Sequence, residues 1–440
     1  MAHVRRRTLL KAAGAAGAAG WLAACTSGDD EPTGGGAAPS GPLTGSARFT
    51  TWASDQEAAA FKKLAADFKA ARGADIEIEV LPYDQIRTVV DRQLQANQAP
   101  DLFRVSYTDV GSYAANGVLA DLRNYLDDSF GDAFLPALWS AVQFDGKPFG
   151  VPHHTDTSAL IYNKAHFAKA GITSVPTSLD QAWTWEQFTE VLRKLKAANQ
   201  GVAPFAFNYQ LFGAYRWFNT LYQAGGRLLD DALEKPALDS PQTRRALEFT
   251  RSLSTEGLHE RSILVKRPTY PDEVFPTQKI SMIQAGDFLI PSIDAAVKDK
   301  FEWGVTYLMR DAGAATDLGG NAVVVTDQAK NPDVAAEFAK FLVTRENMQS
   351  FCEQTTVLPV RKDLTGAKLA YATRPDLMPV FQQQATTMPE GLVKATTSPA
   401  FAGINQALID TMDQYLSNPS ASTDDTVQAL SAGVQKALQA

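Results

Sequence analysis

Cysteine is scarce in this sequence, because only Cys25 and Cys352 occur among its 440 residues. Cys25 falls inside the N-terminal signal described below, so no pair remains for a disulfide within the mature chain, although an exported compartment would permit one. Cys352 lies in a helical pattern over residues 346–353, where we expect a buried apolar thiol rather than a reactive one. The fold must therefore rest on its hydrophobic core without covalent cross-links.

Basic charge and long apolar runs are also in short supply. Lys and Arg number 41 against 49 Asp and Glu, which leaves a formal net charge of −8. This deficit argues against nucleic acid as a partner and against charge-driven binding to anionic lipid. Beyond the N-terminal signal, no apolar run reaches the roughly 18–20 residues of a transmembrane helix, so we expect none.

Motifs for metal, phosphate and nucleophilic chemistry are missing. The sequence contains no His-Glu-x-x-His, Cys-x-x-Cys, phosphate loop or Gly-x-Ser-x-Gly. His153 and His154 are adjacent, and adjacent side chains on an extended segment point to opposite faces, so we expect a structural role for them. We therefore expect no metal site, no cofactor and no enzyme activity. A carboxylate pair for glycoside hydrolysis can be far apart in a sequence, so a secreted glycoside hydrolase stays open as an alternative.

The N-terminus carries the pattern of an export signal over residues 1–24. The pair Arg6-Arg7 precedes an apolar stretch, residues 12–25, of only about 14 residues, which is too short to span a bilayer. The arginine pair resembles a twin-arginine signal, and the small residues before Cys25 resemble a bacterial lipobox. This resemblance implies that Cys25 is lipidated and anchors the protein to the outer face of the cell membrane.

The next segment, residues 25–46, is rich in Gly, Ser, Pro and acidic residues, so we expect a flexible tether. Hydrophobic residues make up 45% of the whole chain and charged residues 20%, as in a soluble globular protein. The remaining stretch of about 395 residues is too long for a single hydrophobic core, so we expect two domains.

Strands and helices alternate in the first half of this body. Strands are predicted at residues 47–52, 76–80 and 100–105, with helices between them, which indicates an α/β domain with parallel pairing. Ligands of such domains bind at the carboxyl ends of the strands, where Trp52, Tyr107 and Asp109 lie. Further predicted strands are residues 158–162 and 280–283, and further predicted helices are residues 86–96, 185–198, 241–255, 332–344 and 422–438.

Several segments, taken in order, resemble one family, the extracellular solute-binding proteins of carbohydrate ABC importers, similar to maltose- and oligosaccharide-binding lipoproteins. The resemblance covers nearly the whole mature chain, although Gln278 and Phe288 replace the Gly and Trp that are usual in the family. The segments that carry it are residues 100–103 with 113–122, 145–152 with 155–164, 183–188, 278–282 with Gly286, and 319–322 with 331–342.

The resemblance implies two three-layer α/β lobes joined by a multi-segment hinge, which is the periplasmic-binding-protein-like fold. The hinge crossings are expected near residues 150–155, near residues 320–324, and after residues 358–361. The expected N-terminal lobe comprises residues 47–152 and about 322–361, and the expected C-terminal lobe comprises residues about 153–321 and 362–440.

Ligand-contacting residues are expected where aromatic and polar side chains meet the cleft, because rings pack sugar faces while carboxylates, amides and Arg bind hydroxyls. Trp52 and Asn321 are candidates from strand ends, and Tyr209 belongs to an aromatic–polar run. Arg361 is placed equally well as a ligand contact or as interlobe structure. The resemblance adds Tyr107, Asp109, Asp156, Trp217 and Phe288.

The function that the resemblance implies is capture of an uncharged sugar and its delivery to ABC transporter permease subunits. The partners expected are therefore a carbohydrate, the permease and the membrane through the lipid anchor, and we expect a monomer. A binding protein for a peptide or polyamine is a further alternative. Acids crowded in the cleft and a salt-sensitive affinity would indicate a polyamine rather than a neutral sugar.

Overall fold

The computed structural model describes residues 42–260, 262 and 265–440. The predicted export signal, the predicted lipidation site Cys25 and most of the predicted tether lie outside these residues. The described strands are β1 (Ser46–Thr51), β2 (Asp75–Val80), β3 (Leu102–Ser106), β4 (Gln143–Phe144), β5 (Lys147–Pro148), β6 (Gly150–His154), β7 (Ser158–Asn163), β8 (Ala203–Ala206), β9 (Ile280–Gly286), β10 (Trp303–Thr306) and β11 (Asn321–Val325).

Helices account for most of the remaining regular structure. They are α1 (Asp55–Arg72), α2 (Tyr83–Gln95), α3 (Tyr107–Ala115), α4 (Pro136–Ser140), α5 (Lys164–Lys169), α6 (Trp185–Ala198), α7 (Trp217–Gln223), α8 (Pro241–Thr255), α9 (Pro271–Val274), α10 (Ile290–Val297), α11 (Pro332–Leu342), α12 (Arg345–Thr355), α13 (Met378–Ala385), α14 (Glu390–Thr396), α15 (Phe401–Ser417) and α16 (Thr423–Leu438). None of the described helices is long and apolar enough to cross a membrane.

Local sequence signals explain why several helices begin and end where they do. Ser54 and Glu57 form both halves of a capping box at the start of α1, and Gly73 ends that helix with a left-handed φ of 87°. Thr184 and Gln187 form the same box at the start of α6. The observed bounds of α6 and α8 match the residues predicted from the sequence.

The first sheet has the strand order β2-β1-β3-β11-β6. Strand β1 pairs in parallel with both β2 and β3, as the alternating pattern predicts, while β11 is antiparallel to β3 and β6. Strands β6 and β11 are buried at every residue. Helices α1, α11 and α12 pack together beside this sheet, which makes it the centre of an α/β lobe.

The second sheet has the strand order β10-β7-β9-β8 and forms the centre of a second α/β lobe. Strand β7 is antiparallel to both neighbours, and β8 is parallel to β9. Helices α6, α7, α8, α15 and α16 contribute to a hydrophobic cluster with Leu160 and Met282 from this sheet. The larger cluster of the described residues runs from the first sheet to the other face of the second.

The chain passes between the sheets at positions that differ slightly from those predicted. Strand β6 continues to His154, so the first crossing is residues 155–157, and β11 starts at Asn321, so the second crossing lies within residues 307–320. Both differences arise because the residues predicted to cross are strand residues of the first sheet: β6 ends just before the first crossing, and β11 begins just after the second. The amides of Thr155 and Leu358 each donate to the other's carbonyl at 2.9 Å. These bonds fasten the first crossing to the stretch 358–361, after which the third crossing is predicted.

The structure also corrects the reasoning about the two histidines. His153 and His154 are both buried, yet their Nδ1 atoms lie 3.1 Å apart instead of on opposite faces. His153 stacks on Phe61, and the rings of both histidines contact Phe351. Burial is the main cause that lowers the pKa of His153 to about 3, with Arg104 adding to it, so this neutral ring packs as part of the core.

Candidate functional site

A cavity of about 910 Å³ lies between the two lobes. The first lobe lines it with side chains that follow strand ends or belong to α2 and α3. The second lobe lines it from the segment before α7, from α9, from the end of β9 and from α15. The residues that the argument uses are Trp52, Tyr83, Arg104, Tyr107, Asp109, Asp156, Asn208, Phe212, Arg216, Asp272, Phe288 and Asn321.

The register of the first sheet explains why its residues converge on this cavity. Ser106, at the end of β3, lies beside Asn321, and Asn321 in turn lies beside His154 at the end of β6. Because β11 is antiparallel to both, its first residue reaches the same edge as their last residues. The carboxyl edge of the sheet therefore faces the cavity, as open α/β sheets place their ligand sites.

Exposed aromatic rings concentrate in this cavity. Among the described residues, the large apolar side chains left exposed are Val80, Tyr83, Leu211, Phe212 and Phe288. Tyr83, Phe212 and Phe288 all line the cavity, and they come from both lobes. The ring of Tyr83 meets Trp52 edge to face at 5.4 Å between centroids. These rings offer apolar faces to whatever enters the cleft.

Arg104 forms the rigid base of the first-lobe wall. Its guanidinium donates to Glu57 Oε1 at 2.7 Å and to the Trp52 carbonyl at 2.9 Å, and it lies 4.6 Å from the centre of the Trp52 ring. The amide oxygen of Asn321 is oriented to accept from both Arg104 Nη2 (3.0 Å) and His154 Nε2 (3.1 Å). This network fixes the Trp52 ring and the Asn321 amide before any ligand arrives.

Acidic groups meet one arginine where the chain crosses between the sheets. Asp317 Oδ2 lies 3.4 Å from Arg216 Nε, and Asp317 Oδ1 accepts from Asn219 at 2.6 Å. Burial raises the pKa of Asp156 to about 6, while Arg216 lowers it and Asp317 raises it. Burial raises the pKa of Asp287 well above its ordinary value, although that carboxylate accepts from the Thr157 amide at 2.8 Å.

Gly319 makes room for Asp156 in this arrangement. A Cβ atom on Gly319 would lie 1.9 Å from Asp156 Oδ1, a separation that no side chain could occupy. The neighbouring Gly320 has a φ of 95°, in the left-handed region that favours glycine. The second crossing therefore needs both glycines to bring its backbone against Asp156.

Six of the nine ligand candidates predicted from the sequence line the cavity: Trp52, Tyr107, Asp109, Asp156, Phe288 and Asn321. Trp52 and Asn321 contact Arg104 as described above, and two more of these residues also have partners within the protein. The Tyr107 hydroxyl donates to the His154 carbonyl at 3.1 Å, and Asp109 lies 3.3 Å from Arg87. Burial raises the pKa of Asp109, and Arg87 partly offsets that rise.

Trp217, Tyr209 and Arg361 do not line the cavity, and this corrects their prediction. Trp217 is 1% exposed and donates through Nε1 to Thr250 at 3.0 Å. Successive helical residues are rotated by about 100°, so Arg216 faces the cavity while Trp217 faces the core. The Tyr209 ring stacks on Phe207 at 4.3 Å between centroids.

Arg361 instead belongs to the structure of the first lobe. Its Nε and Nη2 donate to Asp363 at 3.0 Å, and its Nη1 donates to the Val343 carbonyl at 3.2 Å. Phe134 pairs with it as an isolated β-bridge. Arg361 was expected either to contact the ligand or to join the lobes, and these contacts instead hold it within the first lobe.

Sequence reasoning missed Tyr83, Phe212, Arg216 and Asp272 as cavity residues. Tyr83 could have been found, because it follows strand β2 as Trp52 follows β1, and the same strand-end rule applies. Phe212 and Arg216 belong to the 3₁₀ segment Leu211–Arg216, which lies in the aromatic–polar stretch of residues 205–217. The alternation of residue types in this stretch does not indicate which members face outward. Asp272 lies in a four-residue helix that has no periodic pattern to detect.

A cavity between two α/β lobes, with rings on both walls and a fixed polar base, defines a protein that holds a small solute between its lobes. The model of the family "Bacterial extracellular solute-binding protein" matches residues 63–379. The chain therefore belongs to the bacterial extracellular solute-binding proteins, and it is an exported protein.

Two relatives with named ligands match the chain over different lengths. It is 25% identical over 387 residues to the diacetylchitobiose binding protein DasA of Streptomyces coelicolor, covering 84% of this chain and 87% of that protein. It is 27% identical over 208 residues to the maltotriose-binding protein of Pyrococcus abyssi, covering 47% of this chain and 42% of that protein.

Solved structures show the same fold. The GacH receptor of Streptomyces glaucescens, solved unliganded and with acarbose, aligns with a TM-score of 0.77 at 22% identity, covering 90% of this chain and 99% of that chain. The cyclic alpha-maltosyl-1,6-maltose binding protein of Arthrobacter globiformis aligns with a TM-score of 0.74 at 23% identity. This alignment covers 91% of this chain and 100% of that chain. The fold is thus the periplasmic-binding-protein-like fold of these proteins.

Proposed function

We propose that this protein captures a sugar or oligosaccharide between its lobes and delivers it, chemically unchanged, to the permease of an ABC importer. The observation that carries the proposal is the set of exposed rings, Tyr83, Phe212 and Phe288, which face one cavity from both lobes. Exposed rings gain free energy when a pyranose face covers them. The relatives named for diacetylchitobiose and maltotriose support the same class of solute.

Polar groups of the cavity supply the second half of sugar recognition. Asn208 and Asn405 both line the cavity, and each has a side-chain oxygen without a hydrogen-bond partner among the described residues. Sugar hydroxyls are donors that such oxygens can accept from. Rings for the sugar faces and amides or carboxylates for its rim together favour a carbohydrate over a wholly apolar solute.

A thermal-shift screen against mono- and oligosaccharides, peptides and polyamines tests this function. A ligand that binds only the folded protein stabilises that protein by about 2.7 kcal/mol when the free ligand concentration is a hundred times Kd. A sugar that binds therefore raises the Tm of the protein. The sugar is then recovered and analysed by mass. Intact sugar supports a binding protein, hydrolysed sugar would support the glycoside hydrolase, and a response to peptides or polyamines alone would rule out a sugar.

The lipid anchor is part of the proposal, because Cys25 follows the lipobox pattern. We expect the Cys25→Ser variant to be released from the membrane fraction while its sugar binding stays unchanged. Retention of that variant in the membrane fraction would contradict lipidation at Cys25. Light scattering of the protein without residues 1–24 is expected to give the mass of a monomer.

Export in folded form through the twin-arginine route is proposed from the pair Arg6-Arg7. Replacing both by lysine keeps the charge and removes the signal, so the precursor is expected to remain in the cytoplasm. Unchanged export of this variant would indicate the general secretory route.

A further inference from the structure

Carboxylates outnumber cationic groups among the described residues that line the cleft. Three arginines line it, Arg87, Arg104 and Arg216, and no lysine does. The acids that line it are Glu57, Asp84, Asp109, Asp156, Asp272 and Glu273. The solute therefore enters a site with an excess of negative charge.

Each of the three arginines already has a carboxylate partner. Arg104 pairs with Glu57 at 2.7 Å, and Arg87 pairs with Asp109 at 3.3 Å. The third, Arg216, lies 3.4 Å from Asp317, which sits behind the cavity wall. Four acids that line the cavity remain, and they form no ion pair within the part of the chain that the structure describes. They are Asp84, Asp156, Asp272 and Glu273.

Asp156 is an independent sign that a donor is missing from this site. The residue lines the cavity, is only 7% exposed, and its Oδ1 accepts no hydrogen bond. A buried carboxylate is stable only when cations or hydrogen-bond donors compensate for the lost water. Arg216 and Arg104 lower its pKa, but the nearby Asp317 raises it, so this compensation is incomplete.

The other unpaired acids lie on both sides of the cleft. Asp84 belongs to α2 of the first lobe, while Asp272 and Glu273 belong to α9 of the second. All three lie near the hydroxyl of Tyr270. Burial is the main cause that raises the pKa of this hydroxyl, Arg216 lowers it, and the three carboxylates raise it further. Closing the lobes would concentrate like charges, and a cation held between them would remove that repulsion.

Aromatic faces beside these acids suit the same kind of ligand. Tyr83 stands next to Asp84 in the chain and is 50% exposed, and Phe212 and Phe288 face the cavity from the other lobe. A ligand ammonium over such a ring is attracted by its π electrons, whereas a hydroxyl or acetamide lacks that charge. Unpaired carboxylates and open rings together therefore favour a protonated amine.

We propose that the solute of this cleft is an amino sugar, a mono- or oligosaccharide that carries at least one unacetylated, protonated amine. The proposal rests on the proposed function in sugar binding and narrows it to a charged class of sugar. It departs from the uncharged sugar that the sequence leads us to expect. The sugar rings would pack on the aromatic side chains while the ammonium group meets the unpaired acids.

Calorimetry with matched sugars tests the proposal. Each set of sugars shares one skeleton and carries a hydroxyl, an acetamide or an amine at carbon 2. The monosaccharide set is glucose, N-acetylglucosamine and glucosamine, in that order. The disaccharide set is cellobiose, diacetylchitobiose and chitobiose, and α-linked sets are added. We expect the amine to bind about tenfold or more tightly than its neutral counterparts at low salt. That preference should shrink toward about 0.5 M salt, because screening weakens charge interactions.

The outcomes separate this proposal from the proposed function. If a neutral sugar binds as tightly as its amine counterpart, or if the preference is independent of salt, the amino sugar is wrong while sugar binding stands. If no sugar of any set binds, or only putrescine and spermidine bind, both proposals are wrong.

Variants locate the charge that is responsible. Asp84→Asn and Asp272→Asn each remove one unpaired carboxylate, from opposite lobes. Each is expected to weaken binding of the amine about threefold to tenfold more than it weakens binding of the matched neutral sugar. Asp128→Asn makes the same chemical change at an exposed residue outside the cavity and serves as the control. Equal losses for amine and neutral sugar in the cleft variants would overturn the proposal.

Discussion

Aromatic residues on the second lobe have two different environments, although they lie close together in the chain. Trp217 is 1% exposed and hydrogen-bonded to Thr250, whereas Phe212 is 48% exposed in the cleft. On the first lobe, Tyr83 is exposed to a similar degree. Removal of a buried ring leaves a cavity in the core, while removal of an exposed ring takes away only what the ring does for a ligand.

Tyr83→Ala is therefore expected to weaken sugar binding about threefold to tenfold, since stacking on an aromatic ring contributes about 0.5–1.5 kcal/mol. Its Tm should stay close to that of the wild type. The matched Trp217→Ala variant is expected to lose about 3–5 kcal/mol of stability, because it empties a filled core position. Calorimetry and thermal denaturation of both variants check this, and a stable Trp217→Ala with lost binding would contradict the assignment.

Asp156 makes the stability of the protein depend on pH. Its folded-state pKa of about 6 lies above the ordinary 3.8, mainly because the group is buried. The folded protein therefore binds more protons than the unfolded chain between these values. The stabilisation that this provides is complete below about pH 4 and is lost as pH rises through about 6.

Asp156→Asn should remove that dependence. We expect the unfolding free energy of the variant, relative to the wild type, to rise by roughly 2 kcal/mol between about pH 4.5 and 7.5. Urea denaturation of both proteins at the two pH values measures it. His153 titrates in both proteins, so its effect cancels in the comparison. A difference that is constant with pH would show that Asp156 is not a buried, raised-pKa group.

At the scale of elements, helix α3 packs closely against the segment that leads into α15. A Cβ atom on Gly111 would lie 2.5 Å from the Thr397 carbonyl oxygen and 3.3 Å from the Pro399 nitrogen. These are backbone atoms, which cannot swing away as a side chain can. The same helix carries Tyr107 and Asp109 into the cleft, so its position affects the site as well as the fold.

Gly111→Ala is expected to lower Tm by about 2 °C or more, despite the roughly 1 kcal/mol by which alanine normally favours a helix interior. The clash with the 397–399 backbone should outweigh that gain. Gly313→Ala is the matched control, since a Cβ atom on Gly313 would have no neighbouring atom within 4 Å. A Gly111→Ala protein more stable than the wild type would show that the helix can shift without cost.

At the scale of the whole molecule, three chain segments connect the lobes while the cavity separates them. The paired hydrogen bonds between Thr155 and Leu358 hold the first of these segments to the stretch that leads into the third. Such a hinge permits rotation of one lobe toward the other, and a ligand that contacts both lobes favours the closed state. Tyr83 and Phe288 are the rings from opposite lobes that a bound solute would bridge.

We therefore expect the radius of gyration in small-angle scattering to fall when a bound sugar reaches saturation. A sugar that gives no thermal shift is the control and should leave the scattering profile unchanged. A profile that stays the same at saturating ligand would contradict closure and would leave the permease no change of shape to recognise.

Local signals in the sequence determined much of the architecture. The capping residues Ser54 and Thr184, and the apolar periodicity that follows each, set the helix starts that the structure shows. Asp101 directly precedes strand β3, and it accepts hydrogen bonds from the amides of Arg48, Lys330 and Asn331. These features depend on neighbours in the chain or on strand ends, so a sequence contains the information for them.

Only the tertiary structure decided which side chains face the cleft and which charges remain unpaired there. Trp217 and Arg216 are adjacent, yet one packs in the core and the other lines the cavity. The pairing of Arg104 with Glu57, and the lack of such a partner for Asp84 and Asp272 among the described residues, depend on residues brought together from distant parts of the chain. The exposure of a side chain and the balance of charge around it are properties of the folded chain as a whole. They depend on atoms from distant residues, which no local sequence pattern specifies.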